Sequence, residues 1–299
     1  MNLELSEEQR MLVESIDELV GRAAPGELWE RLVGFGALDT ESLGAVELAL
    51  IARSLGSALA AVPFVDSAAA HYGLTLPEGA AVGICAPGTG VVCFGRTVDL
   101  LVPRVEEAAV VARGAHGVEL EETRSLDPSL QPVVAQLDGG DPRSVDGSPA
   151  VVSALGAVLA TAEAVGAAGT VLGLARDYAA ERRQFGHTIG SFQSIRHLLA
   201  DMYVKVESSW SSVLYSAAAL DEQQADSLRT ASVAKAYGAR ATRDVAHAAL
   251  QVFGGIAFTD EHPAHRYLRR IAVRGEQLGT AADHERELGR SLATVRVAP

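Results

Sequence analysis

The stretch that decides the fold is ERRQFGHTIGSFQSIRHLLADM, residues 181–202. Helical patterns lie on both sides of it, so it joins two long helices at a sharp corner. Gly186 can supply the left-handed conformation that ends one helix, and residues 190–193 then open the next. The backbone N–H groups of a helix N-terminus, together with Arg182, form an anion site suited to phosphate. The alternative is a structural corner in which the arginine pairs with an acidic neighbour.

A second stretch of the same kind is QVFGGIAFTDEHPAHRYLRR, residues 251–270. Gln251 stands at the end of a helical pattern, and the pair Gly254-Gly255 follows it. Paired glycines let a backbone pass close to a ligand or to a partner chain. A plain glycine cap of the helix is the alternative.

Composition and charge argue against several classes of function. The chain has 299 residues, of which 48% are hydrophobic, enough for about two domains with a sizeable core. Its net charge of −13 argues against binding to nucleic acid or anionic membranes, which needs a basic surface. Cys85 and Cys93 lack companions at metal-binding spacing, so neither a zinc site nor a disulfide framework is predicted. We find no signal peptide and no charge-free run of about 18 apolar residues, and we expect a cytoplasmic protein without a membrane span.

Three regions of the chain differ in their hydrophobic periodicity and in their content of turn residues. Together they predict an α+β fold that is mostly α. Residues 1–75 are helical, beginning with a capping box between Ser6 and Gln9. Residues 76–149 are short Val-rich runs separated by Gly, Pro and Asp, typical of a small antiparallel sheet or barrel, and the polar segment 138–149 is predicted as a linker. Residues 150–299 are helical again, with helices predicted at about residues 151–181, 190–222, 226–253, 262–277 and 281–295.

The two C-terminal stretches carry a family resemblance. RRQFGHTIGSFQSIRHLLADMYVKVE and LQVFGGIAFTDEHPAHRYLRR resemble the two C-terminal signatures of acyl-CoA dehydrogenases. LSEEQRMLVESI and VELALIARSLGSALAAVPFVD resemble the N-terminal helical domain of that family in a shortened form. The resemblance covers the whole chain. It implies the acyl-CoA dehydrogenase fold, with a shortened N-terminal helical domain, a reduced middle β domain and a C-terminal four-helix bundle.

The resemblance also implies a cofactor and a reaction. These enzymes are FAD flavoproteins, in which a carboxylate removes the α-proton of an acyl-CoA while the β-hydrogen leaves as hydride to the flavin. Each active site in the family draws on two subunits. One subunit supplies the flavin-ring contacts and the catalytic glutamate, and its neighbour grips the ADP end of the same FAD.

The half of the site that a subunit lends to its neighbour is intact in this sequence. Arg182 matches the arginine that binds the pyrophosphate, and Phe185 matches the aromatic residue beside it. Gln184 stands where a threonine is common and can still donate a hydrogen bond. The resemblance therefore implies cofactor-binding positions at Arg182, Gln184, Phe185, Ile189, Phe192, Gln193, Gln251, Val252, Gly254 and Gly255.

The half that a subunit uses for its own site departs from the family pattern. The catalytic glutamate normally precedes a Gly-Thr pair directly, and here Leu278 occupies that position. Some relatives place the base early in the first C-terminal helix, where this chain has Gly156. The nearest match to the flavin segment of the β domain, GICAPGTGVVCFG, has neither its Thr-Glu nor its Ser-Asp pair. No catalytic base is predicted at either position.

Two other acids are candidate replacements for the missing base. Glu276 precedes Leu278 by two residues, which is about 200° of helix rotation, so it should face solvent. Glu163 lies among Ala and Gly on the predicted central helix, where an unpaired carboxylate is costly. It is either a structural acid paired with an arginine such as Arg176 or Arg196, or a relocated base.

Three hypotheses follow, and the sequence favours the first. The chain is a subunit of a heteromeric acyl-CoA dehydrogenase, in which a partner carries the glutamate and the two subunits share one FAD per pair. The expected assembly is an α₂β₂ heterotetramer, similar to actinobacterial enzymes that dehydrogenate CoA thioesters of steroid side chains. The alternatives are a self-sufficient homo-oligomer that uses Glu163 and a non-catalytic scaffold of the same fold.

Overall fold

The computed structural model describes residues 4–24, 26–86, 89–103, 108–138 and 142–294. The helices are α1 Glu7–Arg22, α2 Leu28–Phe35, α3 Ala45–Ser57, α4 Phe64–Gly73, α5 Pro149–Glu181, α6 Gln193–Asp221, α7 Ser227–Phe253, α8 Ala264–Glu276 and α9 Ala281–Thr294. The strands are β1 Val82–Ile84, β2 Val91–Val92, β3 Asp99–Pro103, β4 Ala108–Val111, β5 Val118–Glu122, β6 Val133–Leu137, β7 Arg143–Val145, β8 Arg183–Gln184 and β9 His187–Thr188. The order of helices, strands and helices predicted from the sequence is confirmed.

The N-terminal helices pack against the long helix α5. Helix α1 begins at the predicted capping box, in which the Ser6 hydroxyl accepts from the Gln9 N–H at 3.1 Å and the Gln9 side chain accepts from the Ser6 N–H. Helices α3 and α5 cross with their backbones in contact. A Cβ atom added at Gly56 would lie 2.0 Å from the carbonyl oxygen of Glu163, so no residue larger than glycine fits without movement.

Strands β1–β7 form two small sheets, ordered β1-β3-β4-β7 and β2-β6-β5. The expectation of an antiparallel sheet is wrong for β1 and β3, which pair in parallel. The chain can join them in parallel because β2 leaves for the second sheet between them. The predicted linker at 138–149 also contains β7, which pairs with β4 and thereby joins the β region before α5 begins.

Helix α5 is the central element of the fold. From Ala154 to Ala168 its residues are buried in succession, because α3, α4, α6, α7 and α8 all pack around it. By length and composition it is the one helix in the described ranges that could cross a membrane, with a mean hydropathy of 1.7 over its most apolar window. Since 78% of that window is buried inside the protein, packing in the core accounts for its apolar character.

Candidate functional site

The corner at residues 181–202 contains a β-hairpin that the sequence did not predict. Helix α5 ends at Glu181, and Arg182 caps it in an extended conformation, so the expectation that Gly186 caps the helix is wrong. Strands β8 and β9 pair instead, and the two residues between them, Phe185 and Gly186, have φ angles of 52° and 80°. Two consecutive positive φ angles match the tight turn that suits a two-residue hairpin. The glycine therefore shapes the hairpin tip.

Two side chains of the corner are presented to the outside. Arg182 is exposed, and its guanidinium makes no hydrogen bond or ion pair with any residue that the structure describes. The alternative of a structural arginine paired with an acidic neighbour is therefore wrong. Phe185 is 90% exposed at the hairpin tip, and its ring meets Phe192 edge-on with centroids 6.5 Å apart. This stretch therefore presents both a cation without a partner among the described residues and an aromatic ring to the outside.

The Gln251 stretch lies at the same end of the bundle as the corner. Tyr178, one turn before Arg182, packs edge-on against Phe253 with ring centroids 5.5 Å apart. Gln251 is exposed in the last turn of α7, and a Cβ added at Gly254 or Gly255 would meet nothing within 4 Å. The two stretches thus face open space together.

The remaining residues predicted to contact the cofactor differ in how exposed their side chains are. Gln193 is exposed at the first position of α6, and Gln184 is exposed on β8, where its amide donates to the carbonyl of Arg183 at 2.8 Å. Ile189 is half-buried against the core. Val252 is only 5% exposed because it faces the core from α7, so a cofactor contact at this position would be made by its backbone.

These residues fit the ADP portion of FAD. The free guanidinium of Arg182 suits a pyrophosphate, and the nearby N-terminus of α6 favours negative charge. The exposed ring of Phe185 offers an apolar face to the adenine base of the cofactor. Gly254 and Gly255 have no side chains, so the cofactor can come close to the backbone there. In the segment expected to contact the flavin ring, Pro87 and Gly88 lie outside the described residues.

The two positions where the family places its catalytic base meet at one point. A Cβ added at Gly156 would lie 2.6 Å from Cδ1 of Leu278 and within 4 Å of Ala69 and Ile84. Leu278 therefore packs onto the bare backbone of α5, and apolar groups surround the spot. The nearest buried carboxylate among the described residues is that of Asp66, which accepts from the Ile84 N–H and from the side chain of Gln277.

The loop that carries Leu278 is held in a strained conformation. Leu278 has a φ of 60°, which costs a branched residue about 1–3 kcal/mol, and Gly279 follows with a φ of 103°. Burial lowers the pKa of His284, so its ring is neutral at pH 7. One ring nitrogen of His284 lies 3.0 Å from the Leu278 carbonyl and the other 3.2 Å from the Ser232 hydroxyl. The neutral ring can donate to the first and accept from the second.

Glu163 is a structural acid, as one of the two interpretations held, but its expected partners are wrong. Its carboxylate oxygens lie 2.8 Å from Arg270 and 2.9 Å from Arg274, and all three side chains are at most 3% exposed. Arg176 instead pairs with Asp177 on the surface, and Arg196 donates to a backbone carbonyl. Each oxygen of Glu163 accepts from a buried guanidinium, so the carboxylate is engaged in an ion-pair network inside the protein.

The arginines of α8 tie the three regions of the chain together. Arg270 also contacts Asp127 of the β region at 2.6 Å and donates to the Ala60 carbonyl of the N-terminal region at 2.9 Å. Burial raises the pKa of Asp127, but the charge of Arg270 and the hydrogen bonds from Ser129 and Arg270 together outweigh burial and keep this pKa below its usual value. This buried network was not predicted, although the spacing of Arg270 and Arg274 by one helical turn was a signal for it.

Two further buried titratable groups lie beneath the Leu278 loop. Asp66 accepts from the Ile84 N–H at 3.1 Å and from the Gln277 amide at 2.7 Å, and burial raises its pKa to about 6. Lys235 donates to the carbonyl of Arg274, and burial lowers its pKa to about 7. Neither residue was predicted, although Asp66 stands out as a charge within the apolar run PFVDSAAA.

Glu276 is exposed and pairs with Arg243 at 2.9 Å, which confirms that it faces away from the site. Across the described ranges there is no group of three or more His, Cys, Asp or Glu side chains that could hold a metal ion. The position at which the family places its catalytic base is occupied by Leu278.

Comparison with known proteins agrees with this geometry. The family profile described as "Acyl-CoA dehydrogenase, C-terminal domain" matches residues 153–293. The chain is 28% identical to the acyl-CoA dehydrogenase IpdE2 of Mycolicibacterium smegmatis, over 95% of this chain and 98% of that protein. The ChsE4-ChsE5 complex from Mycobacterium tuberculosis has the same fold, with a TM-score of 0.83 at 24% identity, covering 99% of this chain and 100% of the other. A variant of the Tcur3481-Tcur3483 steroid ACAD also has a TM-score of 0.83, at 22% identity over 96% and 98% of the two chains. By its C-terminal domain, residues 153–293, the chain belongs to the acyl-CoA dehydrogenase family.

Proposed function

We propose that this chain is one subunit of a heteromeric, FAD-dependent acyl-CoA dehydrogenase and that it lacks a catalytic base of its own. A partner subunit carries the catalytic glutamate and the flavin-ring contacts. This chain uses Arg182, Phe185 and the Gly254-Gly255 turn to bind the ADP end of the partner's FAD. The bound flavin accepts the hydride that leaves the β-carbon when the acyl-CoA thioester is dehydrogenated.

The contact between Leu278 and Gly156 carries the proposal. A relocated base is the first alternative, and it finds no support because both oxygens of Glu163 are held by arginines. A scaffold without a cofactor is the second. It leaves unexplained why an unpaired Arg182 and a 90% exposed Phe185 are kept side by side. A site shared between two subunits accounts for both observations: leucine packs where the catalytic base is expected, and the residues around Arg182 are exposed.

The proposed assembly is a cytoplasmic α₂β₂ heterotetramer with one FAD per pair of subunits. The similarity in fold to the ChsE4-ChsE5 complex supports a partner of the same family. The similarity to a steroid ACAD supports the CoA thioester of a steroid side chain as the substrate class. The shortened N-terminal region supports the same choice, because a bulky ring system needs a wide pocket.

Expression of the chain alone and together with candidate acyl-CoA dehydrogenase partners tests the proposal. We expect FAD to be retained only in the complex, at about one FAD per pair, and to be bleached by an acyl-CoA. The measurements are the flavin absorbance per chain after gel filtration and the mass of the complex. A yellow and active protein obtained from this chain alone would refute the shared site. Absence of flavin from every combination would favour the scaffold.

A further inference from the structure

A groove with a volume of about 560 Å³ runs between α3, α5 and α6. Its floor is the face of α5 that carries three glycines, Gly166, Gly169 and Gly173. Leu172, Leu199 and Val206 supply apolar surface along its walls. The volume lies in the range of about 300–1,000 Å³ that is typical of small-molecule sites.

The chain itself does not explain two of these glycines. Gly166 is required, because a Cβ there would lie 2.0 Å from the carbonyl oxygen of Arg53. A Cβ at Gly169 would meet only Val206, at an ordinary 3.9 Å, and one at Gly173 would meet nothing within 4 Å. Glycine inside a helix is destabilising relative to alanine. Its presence at two positions one turn apart, where alanine fits, points to an occupant that approaches the backbone of α5.

Arg53 supplies an unsatisfied cation on the wall of the groove. Its guanidinium stacks over the ring of Trp210, 4.4 Å from the ring centroid, and this contact fixes its position. Glu207 and Asp17 attract it through space, but neither forms an ion pair with it, and it makes no side-chain hydrogen bond within the described part of the chain. A half-buried guanidinium with free donors is suited to bind a carboxylate from outside.

We propose that this groove binds an amphipathic carboxylate. The carboxylate pairs with Arg53, and the hydrocarbon chain lies along the bare face of Gly169 and Gly173 against Leu172 and Leu199. The site does not depend on the proposed FAD contacts, because its anion-binding residue lies on α3 and not at the corner. A fatty acid is the simplest member of the class.

Dodecanoate below its micelle concentration is the probe, and dodecanol is the neutral control of equal length. Titration calorimetry with the full chain, or with its complex, measures both affinities. We expect dodecanoate to bind more tightly than dodecanol. Arg53→Gln should remove that preference and weaken dodecanoate by about 10-fold or more, because a charge-assisted hydrogen bond is lost.

A second variant tests the shape of the groove independently of its charge. Gly173→Leu fills the empty space above α5 and should abolish binding of both ligands. Gly289→Leu on α9 is the matched control, since a Cβ there also meets nothing within 4 Å. Circular dichroism confirms that both variants fold.

Three outcomes would overturn the proposal. The first is that neither the full chain nor the complex binds dodecanoate. The second is that Arg53→Gln or Gly173→Leu binds dodecanoate as the parent does. The third is that Gly173→Leu breaks association with a partner subunit while dodecanoate never binds, which would assign the groove to a protein segment.

Discussion

Replacing Glu163 by glutamine should destabilise the fold strongly. Glu163 is 2% exposed and is the shared counter-ion of two arginines that are each 1% exposed. Arg270 would keep Asp127 and its carbonyl acceptors. Arg274 would keep only its hydrogen bond to Gln277, and its Nε already has no hydrogen-bond partner among the described residues. The amide nitrogen of glutamine would also face one guanidinium donor to donor.

The size of the loss follows from burial. Removing one partner of a buried ion pair costs about 3–5 kcal/mol, because the remaining charge cannot be hydrated. The unfolding free energy of a typical domain is about 5–15 kcal/mol, so Glu163→Gln should remove about a fifth or more of the stability. Urea denaturation followed by tryptophan fluorescence measures the change.

Glu276→Gln is the matched control for this experiment. Its ion pair with Arg243 has side chains that are 55% and 43% exposed, so its loss should cost at most about 1 kcal/mol. If Glu163→Gln unfolds at the same urea concentration as Glu276→Gln, the network does not stabilise the fold as described. If a folded Glu163→Gln complex loses turnover while keeping its stability, Glu163 is the relocated base after all.

Three other perturbations have defined outcomes. Arg182→Ala should leave the fold intact and weaken FAD retention by the complex about 10-fold or more. The measurement is the amount of flavin per complex after gel filtration, and unchanged retention would show that Arg182 does not bind the cofactor. Gly56→Ala should lower the free energy of unfolding by about 3 kcal/mol or more, because its Cβ would lie 2.0 Å from the Glu163 carbonyl oxygen. Gly289→Ala is the control and should not destabilise the fold. Equal melting temperatures of the two variants would contradict the close crossing of α3 and α5. Burial lowers the pKa of Lys235 to about 7, so between pH 7 and its unfolded value of 10.5 the unfolded chain holds a proton that the native state has released. Stability contributed by Lys235 therefore rises with pH across that window, and Lys235→Met should flatten the rise in denaturation curves at pH 7, 8 and 9.

The helical parts of the fold were predictable because their signals are local. The capping box at Ser6 and Gln9 fixes the start of α1, and the predicted range 226–253 agrees with the observed Ser227–Phe253. Periodicity and capping depend on residues within one or two helical turns, which a single sequence displays directly. The assignment of the corner at Arg182 to a cofactor site came instead from the family resemblance of its motif.

Features that depend on distant residues were missed or assigned wrongly. Glu163 was expected near Arg176 or Arg196, yet it pairs with Arg270 and Arg274, more than a hundred residues further along the chain. The parallel pairing of β1 and β3 depends on where β2 goes, which strand patterns do not reveal. The Phe185-Gly186 turn was misjudged because Gly after a helix usually caps it, and here hairpin pairing prevailed.

The absence of a base at position 278 reflects the packing around this position as well as the leucine that occupies it. A carboxylate placed at Leu278 would lie against the backbone of Gly156, near the side chains of Ala69 and Ile84. It would also lie close to the buried carboxylate of Asp66, which accepts from Gln277, and a like charge disfavours its ionised form. Glu163 lies seven residues further along α5, about 10 Å away, and its arginines are already neutralised. We therefore expect that restoring glutamate alone does not restore an active site, because the side chain at position 278 packs against α5 and an acid there would lie close to the buried Asp66.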